Sequence, residues 1–247
     1  MSSPREPDLD QLLNLMFQAH PWHGVSAYAQ GGLVHAFIEI VPSDPVKYEL
    51  DKASGHLSVD RPQRFSSLPP VLYGFVPQTY CGSRVGARCR ERTGRAVTMG
   101  DGDPIDICVL TEKTVSHGNF LARVEPIGGL RLIDGDQADD KIVAVLTADL
   151  AYGEYHELSQ CPKPLLDRLR HYFLTYKRRP DPGSSPISTA MPVSTSVPVS
   201  IAETYDREEA LATIEQSVLD YRESFGAPET RVDLLKRLLS GGSARPT

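Results

Sequence analysis

The sequence places three carboxylates within six residues, immediately before an apolar run. Asp101, Asp103 and Asp106 belong to the segment Asp-Gly-Asp-Pro-Ile-Asp, and the strand-like run 107–110 follows at once. Pro104 keeps this segment out of a helix. Carboxylates this close repel one another once water is partly excluded, and hard, oxygen-preferring cations such as Mg²⁺ usually neutralise them. The segment therefore predicts a metal site at the mouth of a buried strand.

Two other interpretations fit part of this segment. An EF-hand loop starting at Asp101 would place Glu112 at its twelfth position, but its sixth position must be glycine and is Asp106 here. Positions seven to ten also form an apolar run typical of a strand. A plain acidic turn between strands is the simpler alternative, and the hexapeptide alone leaves it open.

A second acidic cluster has the same design. It comprises Asp134, Asp136, Asp139 and Asp140. Lys141 and the apolar run 142–145 follow it directly. Because a rigid sheet can present ligands from separate parts of a chain to one ion, the second cluster favours a metal site over a plain turn.

A third segment adds positive charge. Lys47 and Glu49 alternate with Tyr48 and Leu50, and Arg61 follows in Val-Asp-Arg. Acids that hold metal, together with Lys and Arg that hold an anion, predict a substrate that is a phosphate compound arriving with metal ions.

Composition excludes several classes of protein. The 247 residues are 40% apolar, which suffices for an ordinary core, and the net charge of -6 disfavours binding to nucleic acid or an anionic membrane. The apolar runs are too short to cross a membrane, and the first ten residues lack a secretion signal. The four cysteines lack CxxC spacing, which predicts free thiols. We therefore expect a cytoplasmic protein.

From Ala36 to about Val145, short β-rich runs alternate with Gly, Pro and Asp, a pattern typical of a small barrel or sandwich. Two later segments predict helices. One follows Pro162, and the other spans Asp206 to Phe225 with Asp206 and Glu209 as a capping box.

Eight blocks occur in an order that matches a known family. The chain resembles the soluble family I inorganic pyrophosphatases, whose metal-binding signature Asp-x-Asp-Pro-x-Asp is present at Asp101–Asp106. The other blocks are Lys47-Tyr-Glu49, Asp51-Lys-x-Ser-Gly55, Val59-Asp-Arg61, Tyr73–Thr79, Pro126-Ile-Gly128, Asp134–Lys141 and Phe173-x-x-Tyr176-Lys177. The resemblance covers about residues 36–180 and implies an α+β, mainly β fold: a small closed five-stranded, OB-like barrel with flanking α-helices.

The resemblance also implies roles for individual residues. Asp103 matches the general base, and Tyr73 orients the site by hydrogen bonding near Asp106. The implied metal ligands are Asp101, Asp106, Asp134 and Asp139, with Asp106 shared between two ions that hold the attacking water. The residues matched to phosphate binding are Lys47, Arg61, Lys141, Tyr176 and Lys177. Glu39 and Glu49 match supporting acidic positions, although Glu39 could equally face solvent and Glu49 could equally be a partner of Lys47 on the sheet surface.

The implied activity is Mg²⁺-dependent hydrolysis of inorganic pyrophosphate to two phosphates, with several ions bound and Mn²⁺ as a substitute. The implied assembly is a homo-oligomer, a hexamer or smaller, without nucleic acid or membrane as a partner. Two alternatives stay open: a metal-dependent phosphohydrolase acting on nucleotides or polyphosphate, and a non-catalytic β-barrel that binds phosphate or nucleic acid.

The predicted organisation is a catalytic domain with extensions. The segments are 1–35 (extension with a short helix from Leu9 to Gln18), 36–180 (catalytic domain), 181–200 (Pro/Ser-rich), 201–226 (helix packed on the domain) and 227–247 (tail). Within the domain, 82–100 is an insertion with five arginines among glycines, which predicts a solvated surface loop or a lid over the site. Asp136 and Asp140 are expected to be solvated neighbours of the metal ligands.

Overall fold

A computed structural model describes residues 18–63, 67–177 and 199–239. Within these ranges the chain forms ten β-strands and four α-helices. The strands are β1 (Val34–Ile40), β2 (Val46–Leu50), β3 (Leu57–Pro62), β4 (Leu72–Phe75), β5 (Met99–Gly100), β6 (Asp106–Leu110), β7 (Phe120–Asp134), β8 (Gln137–Ala138), β9 (Lys141–Val145) and β10 (Ser200–Asp206). The helices are α1 (Ser83–Thr93), α2 (Lys163–Thr175), α3 (Arg207–Phe225) and α4 (Pro228–Leu239).

Five strands close into a ring in the order β1, β4, β6, β9, β7, with β7 pairing back onto β1. Successive side chains on a strand point to opposite faces, so the alternate apolar positions fill the interior. Ile38, Ile107 and Ile142, from three different ring strands, are fully buried in one core cluster. The predicted five-stranded barrel with flanking helices is confirmed.

The ring brings the two acidic segments together. β6 and β9 are parallel neighbours, and Asp106 lies opposite Lys141 at the start of both strands. The β2–β3 hairpin pairs Lys47 with Arg61 and forms a separate two-stranded sheet. The carboxylates and the cations predicted for one site are thus presented at one end of the barrel.

Two of the predicted helices are present where the sequence placed them, as α2 and α3. Leu169 and Phe173 of α2 are buried in a second core cluster, and Ile214 of α3 packs into the first. The predicted capping box of α3 is wrong, because the Asp206 carboxylate accepts a hydrogen bond from the Ser159 amide instead. The Glu209 side chain does not complete the capping box either, because it forms ion pairs with Arg88 and Arg131.

The segments outside the domain differ from expectation where the structure describes them. Residues 200–206 form strand β10, which pairs with β7, before α3 begins. The predicted tail contains helix α4. The predicted helix from Leu9 to Gln18, apart from its last residue, and the Pro/Ser-rich segment up to residue 198 lie outside the described residues. Among the described helices, none is long and apolar enough to cross a membrane.

The arginine-bearing insertion is a helix and not the loop that its glycines predicted. Val85 and Cys89, four residues apart in α1, are buried, which explains why the segment folds onto the domain. Its arginines pair with acids and carbonyls: Arg84 with Glu223, Arg88 with Glu209, and Arg90 with the Val97 and Thr98 carbonyls. Contacts of this kind hold the segment against the domain.

A buried carboxylate of α3 caps the first turn of α1. The Asp220 side chain accepts hydrogen bonds from the backbone amides of Gly82, Arg84 and Val85 at 2.9 to 3.1 Å. These amides have no partner inside their own helix, and the positive end of the helix dipole favours an anion there. Asp220 therefore joins α1 to α3.

We expect Asp220→Ala to lower the free energy of unfolding by about 1–3 kcal/mol, because it leaves three amides without their acceptor. Urea denaturation followed by circular dichroism measures the change. The matched control is Glu223→Gln on the same helix. Its side chain is exposed, so a change below about 0.5 kcal/mol is expected. Equal effects of the two substitutions would contradict the capping role.

Candidate active site

A cleft of about 520 Å³ opens at the barrel end where β6 and β9 begin. All thirteen residues predicted for the site line it: Glu39, Lys47, Glu49, Arg61, Tyr73, Asp101, Asp103, Asp106, Asp134, Asp139, Lys141, Tyr176 and Lys177. They come from seven strands, the end of α2 and the loops before β6 and β9. The fold thus gathers into one cleft residues that are up to 138 positions apart in the sequence.

Lys141 lies at the centre of the acidic group. Its ammonium bonds to the carboxylates of Asp106 and Asp139, and its side chain is almost fully buried. Burial alone lowers the pKa of Lys141, but Asp106 and then Asp139 outweigh it and raise that pKa well above its ordinary value. The lysine therefore stays charged and neutralises part of the acidic group.

The carboxylates of the cleft are still energetically unfavourable in their ionised form. Burial, and then repulsion from Asp139, raise the pKa of Asp101 to about 8. Burial also raises the pKa of Asp106, against the opposing effect of Lys141. The Tyr73 hydroxyl donates a hydrogen bond to Asp106. A carboxyl group whose pKa is raised this far, as that of Asp101 is, indicates a site with an excess of negative charge.

Two lysines at the rim pair with the other acids of the cleft. Lys52 bonds to the Asp103 carboxylate, and both side chains are about half exposed. Lys177 Nζ lies 2.5 Å from Asp134 Oδ2 and 3.9 Å from Asp139 Oδ2. Lys52 was absent from the predicted site, although its block, Asp51-Lys-x-Ser-Gly55, carried the signal.

The β2–β3 hairpin forms the opposite wall of the cleft. Lys47 Nζ donates to Glu49 at 2.7 Å and to Asp60 at 2.9 Å, and Arg61 Nε lies 3.7 Å from Asp60. Arg61 Nη1 is buried and has no hydrogen-bond partner among the described residues. The Arg61 side chain also lines the cleft, where a guanidinium can bind an anion. Asp60, like Lys52, was not predicted.

Glu39 lies deeper than the sequence indicated. Only 7% of its surface is exposed, so the expectation that it could face solvent is wrong. Its carboxylate accepts a hydrogen bond of 2.7 Å from the Leu50 amide and so ties β1 to the hairpin. Burial raises the pKa of Glu39 to about 8, with a smaller contribution from Asp106 in the same direction.

Three residues lie next to the predicted ligands Asp134 and Asp139: Gly135, Asp136 and Asp140. Asp136 is exposed, as predicted, whereas Asp140 is buried and pairs with Arg131. Gly135 has a φ of +64° in the turn between β7 and β8. That conformation favours glycine over residues with a Cβ, which gives Gly135 a backbone role.

The donor set of the cleft fits hard metal ions. Asp101, Asp106, Asp134 and Asp139 offer only oxygen donors, which Mg²⁺ prefers, and the raised pKa of Asp101 reports unmet demand for positive charge. Among the described residues, no three acidic, His or Cys side chains already stand in a ligand arrangement. The ammonium of Lys141 bonds to two of the four carboxylates, Asp106 and Asp139.

The comparisons with known proteins identify one family. The sequence model of a family described as inorganic pyrophosphatase matches residues 36–222. An inorganic pyrophosphatase of Chlamydia caviae is 45% identical over 214 residues, which are 86% of this chain and 95% of the relative. One of Chlamydia trachomatis serovar L2 is 52% identical over 164 residues, 66% of this chain and 78% of the relative. A solved inorganic pyrophosphatase structure from Coxiella burnetii, 30% identical, has a TM-score of 0.59 and covers 80% of this chain and 99% of its own.

A closed β-barrel with clustered acids and cations at one end defines a metal-dependent enzyme class that acts on phosphates. The chain belongs to the inorganic pyrophosphatase family, whose sequence model spans most of it. The family and the enzyme class predicted from the sequence are thereby confirmed.

We expect Glu39→Gln to flatten the pH dependence of stability in metal-free protein. The folded-state pKa of about 8 lies above the ordinary value of 4.5, so the contribution of Glu39 is fully present below about pH 4.5. It is lost as the pH rises through 8. Between about pH 5 and 9, the free energy of unfolding of the wild type should decrease as Glu39 ionises. In Glu39→Gln this decrease should be smaller by roughly 1–3 kcal/mol.

Urea denaturation at several pH values, with a chelator present, measures this difference. Glu154 is exposed, and Glu154→Gln is the control that should keep the wild-type slope. The assignment would be contradicted by a Glu39→Gln profile that runs parallel to the wild type across this range.

Proposed function

We propose that this chain hydrolyses inorganic pyrophosphate to two phosphates in a Mg²⁺-dependent reaction. The observation that supports the proposal is one cleft in which four potential metal ligands face five potential phosphate-binding residues. Membership of the inorganic pyrophosphatase family indicates the same activity. The alternating acids and cations suit a small, highly charged substrate that carries phosphate at both ends.

Asp101, Asp106, Asp134 and Asp139 are the proposed metal ligands. Bound Mg²⁺ ions supply positive charge to the phosphate oxygens and lower the pKa of the attacking water. Lys141 and Lys177 now pair with three of these carboxylates. Metal ions at the same carboxylates would compete with the two ammonium groups. The competition would make both lysines available to the substrate.

Asp103 is the proposed general base. Its side chain is 45% exposed at the rim of the cleft, and its amide donates to Asp101 Oδ1 at 3.1 Å. That hydrogen bond fixes the backbone of Asp103 beside the metal ligands while its carboxylate reaches into the cleft. A carboxylate so placed can take a proton from the attacking water. Tyr73 holds Asp106 by a hydrogen bond and so orients the ligand that the resemblance assigns to two ions.

Lys47, Arg61, Lys141, Tyr176 and Lys177 are the proposed phosphate-binding residues. They approach the cleft from the hairpin, from β9 and from the end of α2. Cations on facing walls can neutralise the two ends of pyrophosphate separately, which stabilises the charge that develops on the leaving phosphate.

The wider setting of the activity is also part of the proposal. We propose a cytoplasmic homo-oligomer, a hexamer or smaller, in which Mn²⁺ can replace Mg²⁺ because both prefer oxygen ligands. Light scattering at micromolar concentration measures the assembly, and a monomer mass would reject it.

Phosphate release from pyrophosphate, ATP and tripolyphosphate, each with saturating Mg²⁺, tests the proposed function. We expect pyrophosphate to be cleaved far faster than either of the others. Cleavage of ATP with pyrophosphate left intact would favour a nucleotide phosphohydrolase. Binding of pyrophosphate without cleavage of any of the three would favour a non-catalytic barrel.

Substitution of single carboxylates distinguishes a metal ligand from a general base. We expect Asp106→Asn and Asp139→Asn to weaken Mg²⁺ binding as well as turnover, because each removes a charged ligand. Asp103→Asn should lower kcat by roughly 10²- to 10⁴-fold and leave Mg²⁺ binding near that of the wild type. Isothermal titration calorimetry of Mg²⁺ binding decides between the roles. Equal loss of binding in all three variants would make Asp103 a ligand.

A further inference from the structure

Asp140 lies between two residues of the cleft but faces away from it. Asp139 and Lys141 line the cleft, whereas the Asp140 carboxylate lies on the opposite side of the chain. This alternation follows from the extended backbone, in which neighbouring side chains point to opposite faces. Asp140 is 2% exposed, so the backbone that presents Asp139 and Lys141 carries a buried charge on its other face.

Arg131 of β7 provides the opposite charge. Its guanidinium is completely buried, and Nη1 lies 3.8 Å from Asp140 Oδ2, which is a charge contact and not a hydrogen bond. The Tyr205 hydroxyl donates to the same Asp140 oxygen at 3.2 Å. An isolated buried carboxylate would cost several kcal/mol, so these two partners hold Asp140 where it is.

Tyr205 also contacts Arg131 directly. The Arg131 guanidinium lies 4.8 Å from the centre of the Tyr205 ring. The ring lies against Gly129, where a Cβ would come within 2.5 Å of its atoms. Gly129 therefore makes room for the aromatic ring that bridges the arginine and the aspartate.

Arg131 belongs to a balanced set of buried and half-buried charges. Its Nε donates to Glu203 at 3.1 Å, and its Nη2 bonds to Glu209. Arg88 and Arg92 of α1 pair with the same two glutamates. The set contains three cations and three acids: Arg88, Arg92, Arg131, Asp140, Glu203 and Glu209. Since every charge has a partner in the set, Arg131 is fixed from several directions.

We propose that Asp140 is a positioning residue for the active site. Its buried pairing with Arg131 and Tyr205 fixes the backbone at the start of β9. That backbone holds the Asp139 carboxylate and the Lys141 ammonium at the angle that metal and pyrophosphate binding require. The inference rests on the proposed function, because it assigns Asp139 to metal and Lys141 to phosphate.

Two variants test this role. Asp140→Asn has the same shape and keeps an acceptor for Tyr205, but it removes the charge that Arg131 faces. In the double variant Asp140→Asn/Arg131→Met, the four remaining charges of the set balance. Replacing a buried ion pair by neutral groups is often neutral for stability, so the double variant separates folding from positioning.

The measurements are Mg²⁺ binding by calorimetry, the midpoint of thermal unfolding, and KM and kcat for pyrophosphate. They are made on the full chain at the same pH for every variant. In both variants we expect the Kd for Mg²⁺ and the KM to rise about 10-fold or more, because partners behind a ligand typically contribute that much. The matched control is Ile214→Val, which removes one buried methylene from the core and touches no charge. It should lower the unfolding midpoint and leave the Kd unchanged.

The outcomes are distinct. If Asp140→Asn does not fold, the double variant alone decides. Wild-type values of Kd and KM in the folded variants would overturn the positioning role, even if the unfolding midpoint drops. Wild-type protein that cleaves no pyrophosphate would overturn the proposed function itself, whereas an active wild type with unaffected variants overturns only this inference.

Discussion

Repulsion between carboxylates at one end of the barrel is the constraint on which the rest of the structure depends. Asp101, Asp106 and Asp139 stand close together in partly buried positions, and one lysine, Lys141, neutralises part of their charge. Such an arrangement is unfavourable for folding on its own, since burial without a counter-charge is costly. It becomes favourable when cations bind. Contacts elsewhere in the barrel therefore stabilise the fold, while the cleft keeps an excess of negative charge.

The stabilising contacts lie behind the cleft. α1 is capped by Asp220, and its first turn packs against β5, which pairs in parallel with β8. The Asp101 loop follows β5, and the Asp139 loop follows β8, so this short pairing links the two acidic loops. Arg131 and Asp140 add a second link between the same region and the C-terminal elements. The insertion thus supports the site from outside and does not cover it.

The sequence predicted the residues of the cleft far better than the contacts that support them. Asp101 and Asp106 lie in one short segment, so local spacing was enough to find them. Cys89 lies four residues after Val85, which is a helical signal, but the surrounding glycines hid it and the capping partner Asp220 lies more than a hundred residues away. Asp140 could have been predicted as buried, because strand alternation turns it away from its two neighbours. Its partner, Arg131, could not be predicted from the sequence, because only the fold brings β7 next to Asp140.

Strand β7 has a consequence for how the chain is made. It pairs with β1, β8, β9 and β10, and the five strands of the ring all lie between residues 34 and 145. During synthesis the ring can close before residues 200–239 have left the ribosome. Until β10 arrives, one edge of β7 is unpaired and Arg131 lacks both of its glutamates. The five-stranded ring can therefore close before the contacts of Arg131 with the C-terminal elements form.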